Sequence, residues 1–166
     1  MVMPVLAILA VNYPDYSALM LGLAIGGYGL TQAILQIPMG VLSDKIGRKP
    51  VIVAGLMMFA IGSGVAAAAD SMLWIVIGRF LQGAGAIAGA IMALAGDVSR
   101  EQQRPKVMAI IGIAIGFSFY IALLIGPVIA DNYGLHGIFS ITGILAISCI
   151  PLVIWVVPSA INYAPK

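Results

Sequence analysis

Arg79 is the residue of this sequence whose position most strongly suggests chemistry. It is the only ionisable side chain in the run from Ser71 to Gly96. A guanidinium in hydrocarbon is costly, so such a side chain is expected to face protein or water and to have a function. Its partner could be a backbone carbonyl, a substrate anion or a carboxylate outside this sequence; the alternative is snorkelling to the headgroups. Gln82, one turn further along, is expected on an adjoining face.

Three polar residues lie four positions apart in the uncharged run from Tyr16 to Ser43: Tyr28, Gln32 and Gln36. On a helix this spacing drifts by only about 40° per step, so the three side chains form one stripe. We interpret this stripe, together with Arg79 and Gln82, as the lining of a wet substrate cavity. Hydrogen bonding between helices is the structural alternative. Small residues form a second stripe about a quarter-turn away, which predicts close helix packing: Gly22, Gly26, Gly29, Ala33 and Gly40.

A short charged loop separates two long uncharged runs. Four of the fourteen charged residues lie between Asp44 and Lys49. Asp97 is expected at about the same membrane depth as this loop. A topology signal explains the basic residues at that depth, but it does not explain the acidic residues among them. Partly desolvated ion pairs matter more than exposed ones. We therefore predict a charge network of Asp44, Arg48, Asp97 and Arg104.

The elements that must position these residues are membrane-spanning helices. The chain is 62% hydrophobic and only 8% charged, whereas a soluble domain carries about 25% charged residues. The uncharged runs are long enough for spanning helices of about 20 residues and too uniformly apolar for barrel strands. We predict an all-α membrane protein, a bundle of six transmembrane helices whose first helix is truncated. The predicted segments are residues 1–12, 17–42, 50–69, 72–96, 106–130 and 137–157.

The basic residues indicate the orientation of these segments. Seven of the eight Lys and Arg residues lie after the second, fourth or sixth segment, which the positive-inside rule makes the cytoplasmic side. The connections at 13–16, 70–71 and 131–136 are then expected outside. The Pro, Asp and Gly of the run Pro127–Gly134 have the same spacing as Gly40, Asp44 and Gly47, as an inverted 3+3 repeat requires.

Several classes of function are not expected. A net charge of +2 is too small for a nucleic-acid-binding protein. The sequence has no nucleotide-binding loop, no cluster of metal ligands and no nucleophile with a base beside it. We therefore expect neither an enzyme nor a cofactor nor a metal site.

Two of these stretches resemble motifs of the major facilitator superfamily of secondary transporters. The loop Gly40–Lys49 reads G-V-L-S-D-K-I-G-R-K and is similar to the family pattern G-x-L-x-D-R-x-G-R-K, with Lys45 in place of Arg. The stretch Arg79–Gly83 reads R-F-L-Q-G and resembles the family's R-x-x-Q-G motif. Position and spacing agree in both cases.

A third stretch is similar to one branch of that family. Gly126 and Pro127 resemble the start of the G-P-x-x-G-G motif of the drug:proton antiporters. Ala130 and Asp131 stand where that motif has its last two glycines. The resemblance as a whole covers nearly the entire chain and implies the amino-terminal six-span half of a twelve-span protein.

The resemblance implies roles for these residues. Arg79 would serve proton coupling or substrate contact, and Gly126 and Pro127 would shape a helix that moves near the cavity. The implied partners are the lipid bilayer, a small-molecule substrate, protons and a C-terminal six-span half, with the proton gradient as energy source and no cofactor. The loop and its neighbours would latch the two halves in the outward-open state: Gly40, Asp44, Gly47, Arg48, Lys49, Asp97 and Arg104.

The resulting expectation is a proton-coupled secondary active transporter that works by alternating access. We expect an exporter of drugs or other amphiphilic small molecules, in a bacterial inner membrane with the basic loops in the cytoplasm. A transporter of a polar metabolite such as a sugar or organic anion is the alternative, since Gln32, Gln36 and Arg79 would suit one. A second alternative is a non-transporting scaffold or a half-transporter that needs a partner.

Overall fold

The described part of the chain is almost entirely helical. The structure, a computed structural model, describes residues 2–157. Short 3-10 turns lie at Ala10–Asn12 and Glu101–Gln103, and these residues contain no β-strand, as predicted for an all-α protein. The helices are α1 (Val2–Leu9), α2 (Ala18–Ile46), α3 (Arg48–Ala67), α4 (Met72–Ala84), α5 (Ala88–Val98) and α6 (Arg104–Val156).

Within residues 2–157, four segments are long and apolar enough to cross a membrane: Ala18–Ile46, Arg48–Ala67, Met72–Val98 and Glu101–Val156. The third of these joins α4 and α5 across a break at residues 85–87, so the predicted segment 72–96 is not one uninterrupted helix. The fourth has 56 residues, whereas one crossing needs about 20. Its length therefore allows two crossings, and the count of six crossings stays a prediction.

The two limbs of α6 meet at Gly134. The backbone there has φ 61° and ψ −159°, a combination that is open to glycine but strained for other residues. Helical backbone continues on both sides. The break between the two predicted segments is therefore the single residue Gly134 and not the whole connection at 131–136. Gly126 and Pro127 lie inside the first limb. The break at Gly134 falls inside that predicted connection, and the helix-shaping role of Gly126 and Pro127 stays a prediction.

The helices pack around α3 and α4. α3 lies against α4 and α6, and α2 packs on α4. The main core forms where α1 and α4 meet the second limb of α6, and its largest fully buried side chains are Leu6, Met72, Ile75, Ile138 and Phe139. Many large apolar side chains remain exposed on the outer faces, which is the distribution expected of helices in lipid.

Glycines allow α3 and α4 to cross closely. A Cβ built on Gly62 would lie 2.7 Å from the carbonyl oxygen of Gly78, and a Cβ on Gly78 would lie 2.7 Å from that of Gly62. The small-residue stripe predicted on α2 behaves differently. A Cβ would meet nothing within 4 Å at four of its positions: Gly22, Gly26, Gly29 and Gly40. Those glycines make no close helix contact within residues 2–157.

Candidate functional site

Arg79 lies in α4 with only 4% of its surface exposed. Its Nε donates to the carbonyl oxygen of Ala24 in α2 at 3.1 Å, and its Nη1 donates to Oε1 of Gln82 at 2.9 Å. The guanidinium carbon lies 4.4 Å from the centroid of the Tyr28 ring, within cation–π distance. The side chain thus points into the protein rather than snorkelling, and one of its partners is the backbone carbonyl that was among the expected possibilities.

Gln82 extends this network from α4 to α3. Its Nε2 donates to Oγ of Ser63 at 2.7 Å, and that hydroxyl donates to the carbonyl oxygen of Phe59 at 2.8 Å. Gln82 and Ser63 are fully buried, and every buried side-chain nitrogen or oxygen in residues 2–157 has a partner. Sequence reasoning does not identify Ser63; the available signal is a hydroxyl between two glycines, Gly62 and Gly64, in an apolar run.

Two adjoining cavities lie beside this network. One, which we name the Arg79 cavity, has a volume of about 380 Å³ and reaches α1. The other, the Ile87 cavity, has a volume of about 360 Å³ and reaches α5. Both volumes fall in the range of small-molecule sites. The two cavities share five bordering residues, Tyr28, Phe59, Gln82, Thr142 and Leu145.

The predicted polar stripe on α2 reaches these cavities over part of its length. Tyr28 borders both cavities and Gln32 borders the Ile87 cavity. Gln36 is exposed and lies against α5, where a Cβ on Gly89 would be 3.3 Å from the carbonyl oxygen of Gln36. The structure therefore brings Tyr28 and Gln32 together with Arg79 and Gln82, and it places Gln36 outside the two cavities.

The break between α4 and α5 forms part of the wall of the Ile87 cavity. The N–H of Gly85 donates to the carbonyl oxygen of Gln82 at 3.2 Å, and helix resumes at Ala88. Non-helical backbone at membrane depth is tolerated where it lines a cavity or is covered by protein. No proline marks this break. The run of small residues Gly83–Ala86 is the only sequence signal for it.

Arg48, the first residue of α3, is the centre of a charge cluster at the N-terminal end of that helix. Gly47, with φ 101° and ψ 153°, separates α2 from α3 and brings Arg48 back onto the last turn of α2. The Nη1 of Arg48 pairs with Asp44, and its Nε lies 3.0 Å from Oδ2 of Asp97 in α5. Side-chain exposure is 9% for Arg48, 24% for Asp97 and 59% for Asp44. The pair with Asp97 is therefore the better shielded from water.

Backbone and hydroxyl groups complete the surroundings of Arg48. Its Nη1 donates to Oγ of the fully buried Ser43 and approaches the carbonyl oxygen of Gly40 at 3.5 Å. The Ser43 hydroxyl itself donates to Gly40 at 2.6 Å. Gly40 thus contributes its carbonyl oxygen to the cluster, and Ser43 is a member that the motif comparison does not single out.

Two bases assigned to the latch donate hydrogen bonds to backbone carbonyls. The Nζ of Lys49 donates to the carbonyl oxygen of Ile154 in the last turn of α6 at 2.6 Å. A cation there is favoured by the open carbonyls of a helix C-terminus. The Nε of Arg104 donates to the carbonyl oxygen of Gly96 at 3.2 Å. Arg104 therefore contacts the last turn of α5, the helix that also carries Asp97.

Two side chains tie helix ends together at the opposite end of α3. The carboxylate of Asp15 accepts the N–H groups of Met72 at 2.8 Å and Leu73 at 3.2 Å. These bonds, chiefly the one from Met72, hold the pKa of Asp15 below its ordinary value. The Nδ1 of His136 donates to the carbonyl oxygen of Ala67 at 2.6 Å. Both side chains satisfy open helix termini, and sequence reasoning assigns neither of them a role.

These features define a class of protein: a helical membrane protein with two adjoining, mostly apolar cavities and a charge cluster at one end. Residues 1–164 match the Major Facilitator Superfamily. The chain therefore belongs to the Major Facilitator Superfamily, which confirms the family expected from its motifs.

Similar proteins carry transport names. The chain is 53% identical over 160 residues to the inner membrane transport protein YajR of Escherichia coli (strain K12), across 96% of the chain and 35% of that protein. It is 40% identical over 161 residues to an uncharacterized transporter of Buchnera aphidicola subsp. Schizaphis graminum, across 97% and 41%. It is 34% identical over 106 residues to multidrug resistance protein 3 of Bacillus subtilis (strain 168), across 61% and 20%. The chain spans about two-fifths or less of these relatives, which are named for transport or resistance and not for enzymatic activity.

Proposed function

We propose that this chain forms one half of a proton-coupled secondary active transporter that exports amphiphilic small molecules by alternating access. The observation that carries the proposal is the pair of adjoining cavities beside the Arg79 network. Their walls are mostly apolar, with a few polar groups from Tyr28, Gln32, Gln82 and Thr142. A small number of polar groups in an apolar pocket suits a ligand that has an apolar body and one polar end.

The Arg48 cluster supports a mechanism with two conformations. It joins α2, α3 and α5 through ion pairs at one end of the bundle. Ion pairs between elements can be exchanged for others, which makes such contacts suitable for discrete switching. Asp44 is 59% exposed, so its carboxylate remains accessible to a second partner. We propose that this partner is a helix N-terminus in a C-terminal half, where the dipole favours an anion.

The energy source and location follow from the same proposal. We place the protein in a bacterial inner membrane, with the Gly40–Lys49 loop and Arg104 in the cytoplasm, because the basic residues concentrate on that side. We propose the proton gradient as energy source and no cofactor. The relative named as an inner membrane transport protein supports the location, and the relative named as a multidrug resistance protein supports the export of drugs.

Transport by the full-length protein in inside-out membrane vesicles tests the proposal. We expect energised vesicles to accumulate a fluorescent amphiphile, and an uncoupler to abolish the accumulation. Adding the amphiphile should release protons from the acidified lumen, because antiport couples the two fluxes. Asp44→Asn is expected to reduce transport without reducing the amount of inserted protein. Asp131→Asn, which changes another exposed carboxylate outside the cluster, is the matched control.

Three results would contradict parts of the proposal. Accumulation that resists the uncoupler would reject proton coupling. Uptake of sugars or dicarboxylates, with no amphiphile transport, would favour a carrier of polar metabolites. Normal transport by Asp44→Asn would show that the loop determines membrane topology and is not a latch.

A further inference from the structure

We propose that the transported molecule is an amphiphilic anion, whose charged group binds the free edge of the Arg79 guanidinium inside the Arg79 cavity. This inference rests on the proposed function, because it names the substrate class of that site. It follows from the unused donors of Arg79, from the way in which the side chain is held, from the charge balance of the cavities and from their apolar walls.

The guanidinium of Arg79 has donors that the described protein does not use. Arginine carries five N–H groups, and only two hydrogen bonds leave this one within residues 2–157, to Ala24 and to Gln82. Nη2 has no hydrogen-bond partner there, and every buried side-chain nitrogen or oxygen has one. Nη2 therefore keeps some exposed surface, and Arg79 borders the Arg79 cavity. A planar cation with unused donors matches a carboxylate, sulfonate or phosphate.

The contacts of Arg79 hold this free edge in one orientation. The bonds from Nε and Nη1 direct the guanidinium toward α2 and along α4, and the ring of Tyr28 covers one face. Gln82 is held in turn by Ser63. Because the side chain is already ordered, binding an anion costs little of the rotamer entropy that a free arginine would lose.

The charge balance of the cavities also favours an anion. Neither cavity is bordered by an aspartate or glutamate among the described residues. The partners of Arg79 are neutral, namely a backbone carbonyl, an amide and an aromatic ring. Within residues 2–157 this shielded cation has no acidic neighbour in either cavity, and such a cation attracts anions and repels cations. The Tyr28 ring face that Arg79 covers is also closed to a cationic ligand.

The remaining walls require more than a small polar anion. The Arg79 cavity has Phe59, Phe119 and Leu145 on its sides, and the Ile87 cavity continues the apolar surface with Leu56 and Ile87. An ion without apolar surface would leave these walls in contact with water. A molecule with a charged head at Arg79 and an aliphatic or aromatic body along Phe59 and Leu145 covers both kinds of surface.

Direct binding to the full-length protein in lipid nanodiscs tests the inference without requiring transport. The probes are 4-butylbenzoate, its uncharged amide and 4-butylbenzylamine, which share one apolar body and differ in charge. Isothermal titration calorimetry against empty nanodiscs removes partitioning into lipid. We expect the benzoate to bind at least about tenfold more tightly than the amide, since a charge-assisted hydrogen bond contributes more than a neutral one. The amine should bind more weakly than both.

Variants assign this preference to Arg79. Arg79→Gln should bring the benzoate and the amide to within about twofold of each other, because only the charged head loses its partner. Arg79→Lys should keep part of the preference, since it keeps the charge but loses the planar fork. Arg100→Gln, which removes an exposed arginine outside the cavities, should leave it unchanged. The comparison of the three probes on the unaltered protein needs no variant, so it remains informative where Arg79→Gln fails to fold.

Each contrary result points to a different error. Equal affinity for the benzoate and the amide on the unaltered protein, or no saturable benzoate binding, would overturn the inference. An equal loss of both ligands in Arg79→Gln would do the same, because it would make Arg79 a structural residue. Selective benzoate binding by a protein that accumulates no amphiphile in vesicles would refute export and leave the anion site standing. Proton-driven export of cations without benzoate preference would refute the anion site alone.

Discussion

Replacing the members of the Arg48 cluster one at a time should give a graded loss of stability. Arg48 contacts Asp44 in its own loop and Asp97 on α5. The two carboxylates carry the same charge and differ in their exposure to water. Exposure should therefore decide how much each pair contributes, and Arg48, which belongs to both, should be the most costly to lose.

The expected magnitudes follow from those exposures. Asp44 is 59% exposed, and exposed ion pairs contribute about 0–1 kcal/mol. Asp97 is 24% exposed and Arg48 is 9% exposed, and a hydrogen bond to a charged group with that shielding contributes about 1.5–3 kcal/mol. Asp44→Asn should thus cost under about 1 kcal/mol, Asp97→Asn about 1.5–3 kcal/mol, and Arg48→Ala at least as much as Asp97→Asn. The cost of Arg48→Lys should lie between those of Asp44→Asn and Arg48→Ala, because a single ammonium group cannot contact both acids as Nε and Nη1 do.

The free energy of unfolding of the full-length protein, measured by SDS titration in mixed micelles, gives this order directly. Arg100→Gln is the matched control, since it removes an exposed arginine just beyond the end of α5. Equal costs for Asp44→Asn and Asp97→Asn would refute the reasoning, because shielding would then not set the strength of the pairs. Full stability of Arg48→Lys would show that charge alone suffices and that the fork of the guanidinium is not used.

Two further predictions concern the helix contacts. Gly62→Ala should destabilise the protein by about 1–3 kcal/mol, because the added Cβ forces α3 away from Gly78 and Gln82; Gly64→Ala, where a Cβ meets nothing within 4 Å, should be neutral or stabilising by up to about 1 kcal/mol. Equal losses in the same SDS titrations would contradict the close crossing. Asp15→Ala should lower the unfolding temperature at neutral pH, because the carboxylate accepts two N–H groups at the start of α4. Since folding lowers the pKa of Asp15, this contribution is complete above the ordinary carboxyl pKa of about 4 and is lost as the pH falls through the lower pKa of the folded protein. The difference in unfolding temperature between the two proteins should therefore shrink in acid, and a constant difference would refute the role of the charge.

Contacts that depend on local spacing could be predicted from the sequence. Arg79 and Gln82 are three residues apart on one helix, so their neighbourhood follows from helix geometry. Asp97 could be placed near Arg48 because it ends its predicted segment at about the same membrane depth as the charged loop that contains Arg48. The helical class follows in the same way from runs that are apolar for longer than a strand requires.

Contacts that depend on which helix faces meet could not be predicted. Ala24 reaches Arg79, and Ser63 reaches Gln82, only through the packing of α2 and α3 on α4. The periodicity of one helix does not specify which helix packs against it. The small residues illustrate the difficulty, since a stripe on α2 suggested a packing face while Gly62 and Gly78 form a close crossing of α3 and α4. The kink at Gly134 is a further example, since the sequence predicted a connection at 131–136 without indicating which of its residues breaks the helix. A proline in a membrane helix can be accommodated by its surroundings, whereas a positive φ cannot be helical.

The two buried arginines differ in a way that bears on their functions. Arg48 is neutralised by two carboxylates of its own chain, so its charge is already used within the fold. Arg79 is more deeply buried, yet it is held by a carbonyl, an amide and an aromatic ring. These groups orient a guanidinium without cancelling its charge. A cation that served only to join helices would be less costly with an acid beside it. Neutral supports and an accessible Nη2 are instead what a site needs if its counter-charge is to arrive and leave with the ligand.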